Sequence, residues 1–194
     1  MEHVVLDIET TGLSRYTNRI TEIAAIKLKN DKIVDKFHSL INPEQHIPRF
    51  ITRLTGIDDN MVEDAPKIKE VLPNFKPFLS DYPIVAHNAG FDFGFLEHNF
   101  QRHLNHQLNN KLICTMRLAN RIPIDFKNKK LQTLCDYFRI KNESQHRAMG
   151  DAMATVLLLQ NFKNILAKNN ISTIEDIHKF SIKSAQKCRS EIRL

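Results

Sequence analysis

The chain has 194 residues, of which 42% are hydrophobic and 26% charged, and its formal net charge is +6. These values are ordinary for a folded protein, so they exclude wholesale disorder, and the length suits one domain rather than two. The longest apolar stretch, around Val156 to Leu159, is far shorter than the roughly 18 residues that a membrane-spanning helix needs. We therefore expect no membrane insertion.

The cysteines and the N-terminus bear on the cellular compartment. Cys114, Cys135 and Cys188 are scattered and form no zinc-binding spacing, which favours a reduced, cytoplasmic environment. The N-terminus runs straight into a strand-like segment, so we expect no secretory signal peptide. The basic excess is modest, but if acidic residues are gathered into one cleft the remaining surface is more basic still. That charge balance favours a polyanionic partner.

The first predicted elements are strands. Residues 3–8 form a short apolar run that ends at two acidic residues, and the apolar residues between Ile20 and Ile26 predict a second strand. A polar turn at Asn30 and Asp31 leads into a third strand over residues 33–37. The second and third strands should therefore pair as an antiparallel hairpin.

Helices dominate the rest of the chain. Apolar residues at helical spacing predict long helices over residues 66–80, 92–104, 148–168 and 173–190. Short strands at residues 84–86 and 111–114 separate the earlier ones, so we predict an α/β fold with a mixed sheet flanked by helices. A polar break at Asn169 and Asn170 divides the chain into a domain over residues 1–168 and a helical tail over residues 169–194, whose role the sequence does not indicate.

Asp7 and Glu9 stand at the end of the first predicted strand. Residues i and i+2 of a strand point to the same face, so both carboxylates should project into one site. Two adjacent anions repel each other unless a cation neutralises them, and hard oxygen ligands suit Mg²⁺ or Mn²⁺ rather than Zn²⁺. An isolated pair of this kind is often a solvated strand end. The preceding apolar run and the following Thr10-Thr11-Gly12 favour a metal site.

Three further residues complete a candidate cluster. Asp92 follows the fourth strand and could cap the next helix, but open sheets place their active sites at such strand ends. His146 and Asp151 stand at the start of the long helix, where the alternative is a surface histidine and an N-terminal acid. Each fragment alone has a structural explanation. Together, in this order, they favour a two-metal nuclease.

In combination, these segments resemble the DEDDh-type 3′–5′ exonucleases, the family of the proofreading (epsilon) subunit of bacterial DNA polymerase III. The resemblance covers about residues 1–167. It implies a ribonuclease H-like fold with a five-stranded mixed sheet and helices on both sides. It also implies that Asp7, Glu9, Asp92 and Asp151 hold two Mg²⁺ or Mn²⁺ ions, and that His146 is the general base.

The resemblance also suggests where a 3′-terminal nucleotide would lie. We predict substrate contacts from the loop after the first strand, from the end of the helix near residue 55, and from the loop after the fourth strand: Thr10, Thr11, Gly12, Leu13, Leu54, Thr55, Gly56, Ile57, His87, Asn88 and Phe91. For the second segment a plain helix end with a glycine cap is the alternative, and both readings can hold. Candidates to hold phosphates are Arg53, Lys127, Lys129, Lys130 and Arg147, although basic loops are usually only solvated. His98, His103 and His106 are interpreted as surface residues.

The expected function is hydrolysis of DNA from its 3′ end, releasing nucleoside 5′-monophosphates, in proofreading or repair with a DNA polymerase as partner. One alternative is a 3′–5′ exoribonuclease that trims RNA ends, and contacts to the 2′-hydroxyl would separate the two. The motifs favour DNA. Another alternative is a non-catalytic module that binds nucleic acid or a polymerase. The complete set of acids and histidine disfavours it.

Overall fold

The central sheet has five strands. A computed structural model of the chain describes residues 2–142 and 144–193. The strands are β1 (Glu2–Thr10), β2 (Ile20–Lys29), β3 (Lys32–Leu40), β4 (Ile84–Ala86) and β5 (Leu112–Cys114). Their order across the sheet is β3–β2–β1–β4–β5. The first three strands pair antiparallel, whereas β4 runs parallel to both β1 and β5, so the predicted five-stranded mixed sheet is confirmed.

The β2–β3 hairpin was also predicted, and its turn has a local cause. Asn30 and Asp31 have φ angles of 50° and 63°, which Asn and Asp tolerate better than most residues. Two consecutive positive φ angles match the twist of a two-residue hairpin turn. Strand β1 extends two residues beyond its predicted end, so Glu9 lies within the strand rather than after it.

The helices are α1 (Arg49–Thr55), α2 (Asp59–Val62), α3 (Ile68–Leu79), α4 (Ala89–Leu104), α5 (Thr115–Arg121), α6 (Leu131–Phe138), α7 (Ala148–Ala167), α8 (Ile174–Ile182) and α9 (Ala185–Glu191). Gly56 ends α1 with a φ of 73°, and its N–H donates to the Thr52 carbonyl at 2.8 Å, as the glycine cap predicted. Helix α4 begins earlier than predicted, which places Asp92 inside its first turn instead of at the cap. The single helix predicted over residues 173–190 is two helices, because Ser184 caps the N-terminus of α9.

The sheet separates two apolar cores. Val4, Leu6 and Ile8 pack on one face with α3 and α4. Val5 packs on the other face with α5, α6, α7, α8 and α9. Side chains alternate along a strand, so Asp7 continues the Val5 face and points towards α7.

The C-terminal helices pack on the sheet domain. Ile174, Ile177 and Phe180 of α8 and Cys188 of α9 are buried in the same core as α7. The predicted boundary at residue 168 thus lies within a continuous apolar core. The three cysteines are buried and free. Across residues 2–142 and 144–193, no helix combines the length and apolarity that crossing a membrane requires.

Phe180→Ala tests whether α8 is part of this core. Phe180 is 1% exposed, so the truncation should lower the free energy of unfolding by about 3–5 kcal/mol. Ile182→Ala is the matched control on the same helix, where the side chain is 59% exposed and the loss should stay within about 0.5 kcal/mol. Urea unfolding followed by circular dichroism measures both. A separate early transition for the tail, or equal losses, would contradict the shared core.

Candidate active site

Three carboxylates meet at the end of β1. Asp7 and Glu9 come from the strand, and Asp151 comes from the first turn of α7, which packs across that face of the sheet. One oxygen from each of the three carboxylates lies within 4.8 Å of the others. Oxygen-only donors at this spacing fit a hard divalent cation such as Mg²⁺ or Mn²⁺.

Asp92 reaches the same place from the other side of the sheet. Strand β4 ends at Ala86, so the next stretch of β1 runs on past its parallel neighbour. There the N–H of Ile8 donates to Asp92 Oδ1 at 3.2 Å, in place of a strand carbonyl. Asp92 is 3% exposed. The structure therefore brings all four predicted acids together.

The four acids are short of compensating charge. Burial raises the pKa of Asp7 well above its ordinary value, and the nearby Asp92, Glu9 and Asp151 raise it further. Burial, followed by Asp151, raises the pKa of Glu9 to about 8. Burial also raises the pKa of Asp92 to about 7, and that of Asp151 shifts upwards for the same reason. Because each anion destabilises its neighbours, a bound cation is the natural counter-charge.

The loop before α7 holds Asp151 in position. Asn142 Nδ2 donates to Asp151 Oδ1 at 2.5 Å, and the backbone N–H of His146 donates to Asp151 Oδ2 at 3.2 Å. A Cβ on Gly150 would collide with the Ser144 carbonyl oxygen, so glycine lets the loop pack closely on the helix. His146 has a φ of 57° and an exposed side chain. The loop thus places an imidazole at the solvent side of Asp151.

Glu22 is the residue of this region that the sequence interpretation missed. It is the cross-strand partner of Glu9 on β2 and is 1% exposed. Arg147 donates to it through Nε at 3.1 Å and Nη2 at 2.8 Å, the N–H of Ala148 donates at 3.0 Å, and His38 Nε2 lies 2.7 Å away. Burial opposes ionisation, but these bonds outweigh it and lower the pKa of Glu22.

Glu22 therefore fixes the beginning of α7 against β2, which places Asp151 beside Glu9. The sequence carries a signal for this role, since Glu22 is a lone acid in an apolar strand and a buried acid needs partners. The contacts also leave Arg147 fewer donors for a phosphate, because its Nε and Nη2 are engaged with Glu22. Lys129 is engaged as well: its Nζ donates to the Phe126 carbonyl at 3.2 Å.

The predicted substrate-contact segments divide into exposed and buried side chains. Leu13 is 87% exposed and Leu54 is 51% exposed, so both can meet a ligand. The buried members of the two segments are Thr10, Thr11, Gly12, Thr55 and Ile57. Thr11 illustrates their role, since its Oγ1 accepts from the Arg19 N–H and from Gln45 Nε2, both at 3.0 Å. These side chains shape the loops from within.

The predicted residues of the loop after β4 also divide into one that holds the structure together and two that can meet a ligand. His87 Nδ1 lies 2.9 Å from Thr115 Oγ1, and its Nε2 lies 2.9 Å from the Lys129 carbonyl oxygen. Burial lowers the pKa of His87 to about 4, so the ring is a neutral bridge between loops. Asn88 is exposed, and Phe91 lines a surface depression together with Leu13. Asn88 and Phe91 can therefore face a ligand.

Comparison with known proteins agrees with this geometry. Residues 4–159 match the family model described as "Exonuclease". The chain belongs to this exonuclease family. It is 44% identical over 177 residues to the DNA polymerase III PolC-type of Caldanaerobacter subterraneus, a match that covers 91% of this chain but only 13% of that protein. The chain therefore spans a small part of the length of this relative.

Two solved structures share the fold. Exonuclease X in complex with 5′ overhanging duplex DNA is 28% identical, with a TM-score of 0.72 over 92% of this chain and 98% of that one. Escherichia coli exonuclease I in complex with a dT13 oligonucleotide is 16% identical, with a TM-score of 0.77 over 86% of this chain and 42% of that one. The predicted ribonuclease H-like fold of the exonuclease is thereby confirmed.

The raised pKa values predict a pH-dependent response to metal. The pKa of Glu9 is about 8 in the folded chain and 4.5 ordinarily, so between these values the folded state binds a proton that the unfolded state has lost. Stability should therefore fall as pH rises through this window. Millimolar Mg²⁺ should raise the melting temperature more at pH 8 than at pH 6.5, because the cation replaces the proton.

Differential scanning fluorimetry measures this response. Asp7→Asn removes one anion, and should both flatten the pH dependence and shrink the Mg²⁺ shift. Asp81→Asn, at an exposed position on the turn after α3, is the control with the same charge change. A Mg²⁺ shift that is independent of pH, or equal in both variants, would rule out this electrostatic origin.

Glu22→Gln should destabilise the chain by about 1–3 kcal/mol, because it weakens the acceptor of a partly buried guanidinium. A double-mutant cycle with Arg147→Ala isolates the pair, and urea unfolding should show a coupling of about 1 kcal/mol or more. Additive losses would mean that Glu22 and Arg147 stabilise the chain independently.

Proposed function

We propose that the chain is a metal-dependent 3′–5′ exonuclease that hydrolyses DNA from its 3′ end. The observation that carries the proposal is the meeting of Asp7, Glu9 and Asp151 within 4.8 Å, with Asp92 against the same strand. The relatives support DNA as the polymer. One is a DNA polymerase III, and exonuclease X is in complex with 5′ overhanging duplex DNA.

The proposed metal ligands are Asp7, Glu9, Asp92 and Asp151, and the proposed occupants are two Mg²⁺ or Mn²⁺ ions. Bound there, such a pair supplies stabilisation of both the attacking and the leaving oxygens of a phosphodiester. The β1 backbone and α7 hold the carboxylates in place beforehand, so little reorganisation accompanies binding. Asn142 and the Ile8 N–H orient Asp151 and Asp92 respectively.

His146 is the proposed general base. It takes a proton from the attacking water as the water oxygen bonds to phosphorus and the bond from phosphorus to the 3′ oxygen breaks. The leaving 3′ oxygen takes a proton from solvent, so the products are a nucleoside 5′-monophosphate and a new 3′-hydroxyl end. Its exposed position next to Asp151 leaves the imidazole free to approach the scissile phosphate. Such a base needs a neutral ring at the working pH.

The terminal nucleotide is proposed to lie against Leu13 and Leu54, with Asn88, Phe91 and the exposed Gly56 around it. Two exposed leucines, one on the loop after β1 and one on the last turn of α1, offer apolar surface to a base or sugar. The buried members of the predicted set and the partly buried His87 contribute by fixing the loops. A DNA polymerase is the proposed partner, since the matched region is part of a much longer polymerase in the relatives.

The decisive experiment compares 3′-labelled and 5′-labelled oligonucleotides of DNA and RNA, in Mg²⁺, in Mn²⁺ and in EDTA. We expect a 3′ label to leave at once as a mononucleotide, DNA to be degraded faster than RNA, and EDTA to stop the reaction. Faster loss of RNA would move the assignment to an exoribonuclease. Binding without cleavage in any metal would assign a non-catalytic module.

His146→Ala should lower kcat by about 10²–10⁴-fold while leaving the Mg²⁺-induced rise in melting temperature in place, because a base is not a metal ligand. His106→Ala serves as the control, since that histidine lies beyond the end of α4. Single-turnover cleavage of labelled DNA across pH gives the comparison. An unchanged rate and pH profile in His146→Ala would reject the base assignment.

A further inference from the structure

A cavity of about 200 Å³ lies next to the depression formed by Leu13 and Phe91, with which it shares Arg15. It lies between the β1–β2 loop, the loop after β3 and one face of α4. Five basic side chains line it: Arg15 and Arg19 from the first loop, and His98, Arg102 and His103 from α4. Such a concentration of basic groups from two separate elements is not explained by the candidate metal site, which is built from acidic groups.

Ion pairs in the described part of the chain do not neutralise the arginines of this cavity. Among residues 2–142 and 144–193, no ion pair within 4.0 Å involves Arg15, Arg19 or Arg102. Arg19 Nη1 donates only to the neutral carbonyl oxygens of Asn18 and Tyr16, at 3.1 and 3.4 Å.

Glu44 and the two histidines of the cavity also indicate that it is electropositive. Glu44 lines the cavity, but its carboxylate pairs with Lys67 at 2.5 Å. Burial lowers the pKa of His98 and His103, and Arg102 is the next cause for both. The arginines thus disfavour a further positive charge on these histidines, which shows that the cavity is electropositive, and an anion would be stabilised there.

The position of the cavity indicates which anion it meets. Arg15 lines this cavity and also the depression formed by Leu13, Gly90 and Phe91, where the terminal nucleotide is proposed to lie. Tyr16 is 66% exposed between the two, with its ring edge-on to His98 at 5.4 Å between centroids. Alternating guanidinium groups and an exposed aromatic ring are typical of surfaces that follow a nucleic-acid strand. Arginine also matches the geometry of a phosphate through paired donors.

We propose that this basic cavity binds a phosphodiester group of the nucleic-acid strand, outside the bond that is cleaved. The proposal rests on the proposed nuclease function for the path of the strand. It assigns a binding role to His98 and His103, which the sequence interpretation placed on the surface. A free phosphate ion has the same chemistry as the bound group, so the test must separate the two sources.

The first measurement is fluorescence anisotropy of a short 5′-labelled single-stranded DNA in EDTA, where binding is read without cleavage. Arg102→Ala should weaken binding about fivefold at low salt and reduce the slope of log K against log salt by about 0.7. Arg102 is exposed, so the fold should survive, and circular dichroism checks this. Arg102→Lys should retain most of the salt slope, because the charge remains.

Arg189→Ala is the matched control, since it removes the same charge from an exposed position on α9. This helix packs on the opposite face of the sheet from α4. Equal losses in Arg102→Ala and Arg189→Ala, or no loss in either, would overturn the proposal. Binding in EDTA needs no catalysis. A wild-type chain that binds through Arg102 but cleaves nothing would therefore defeat the nuclease assignment and support the cavity.

The second measurement tests the free ion. Inorganic phosphate is compared with chloride at equal ionic strength for its effect on the melting temperature of the wild type and Arg102→Ala. We expect phosphate to shift the melting temperature of both proteins only slightly. Arg102→Ala should instead be detected by its weaker DNA binding. A phosphate shift that Arg102→Ala abolishes, together with unchanged DNA binding, would assign the cavity to a free oxyanion and overturn the strand as its source.

Discussion

Repulsion among four carboxylates, one of them buried and three partly buried, is the constraint on which the rest of this structure depends. Asp7, Glu9, Asp92 and Asp151 lie together at one end of β1. Burial raises the pKa of all four, and the neighbouring acids raise that of Asp7 and Glu9 further. The fold supplies hydrogen bonds to two of them, through Ile8 and Asn142. Among residues 2–142 and 144–193, none of the ion pairs within 4.0 Å involves any of the four acids. A protein that maintains such a cluster has given up stability that bound metal can restore.

Glu9 and Glu22 have opposite pKa shifts because their surroundings differ. They are direct partners across β1 and β2, yet Glu22 receives a forked guanidinium and a helix N–H, whereas the pKa of Glu9 rises to about 8. One carboxylate is therefore kept ionised and holds α7 in place. Glu9 is left as a candidate cation ligand, and Glu22 sets its distance from Asp151 by fixing the start of α7. The basic cavity beside Arg102 is the electrostatic complement of this acidic end.

Local patterns were sufficient to predict much of this arrangement. The i, i+2 spacing places Asp7 and Glu9 on one face, the Asn30-Asp31 turn predicts the hairpin, and the order of elements predicts the mixed sheet. Tertiary contacts decided the remainder. Helix α4 starts before Asp92 because the chain turns at Asn88. Glu22 binds a partner 125 positions away, and Arg15 and Arg102 line one cavity only in the folded chain. Spacing along the sequence predicts none of these tertiary features.

The claim that the acids form a single cation site is tested most directly by diffraction. Crystals grown with Mn²⁺ should show an anomalous difference peak between the carboxylates of Asp7, Glu9 and Asp151, with manganese–oxygen distances typical of a hard cation. Asp7→Asn crystals under the same conditions should show a weaker peak or none. Density for Mn²⁺ elsewhere on the chain, with the cluster at β1 left without an ion, would contradict the account.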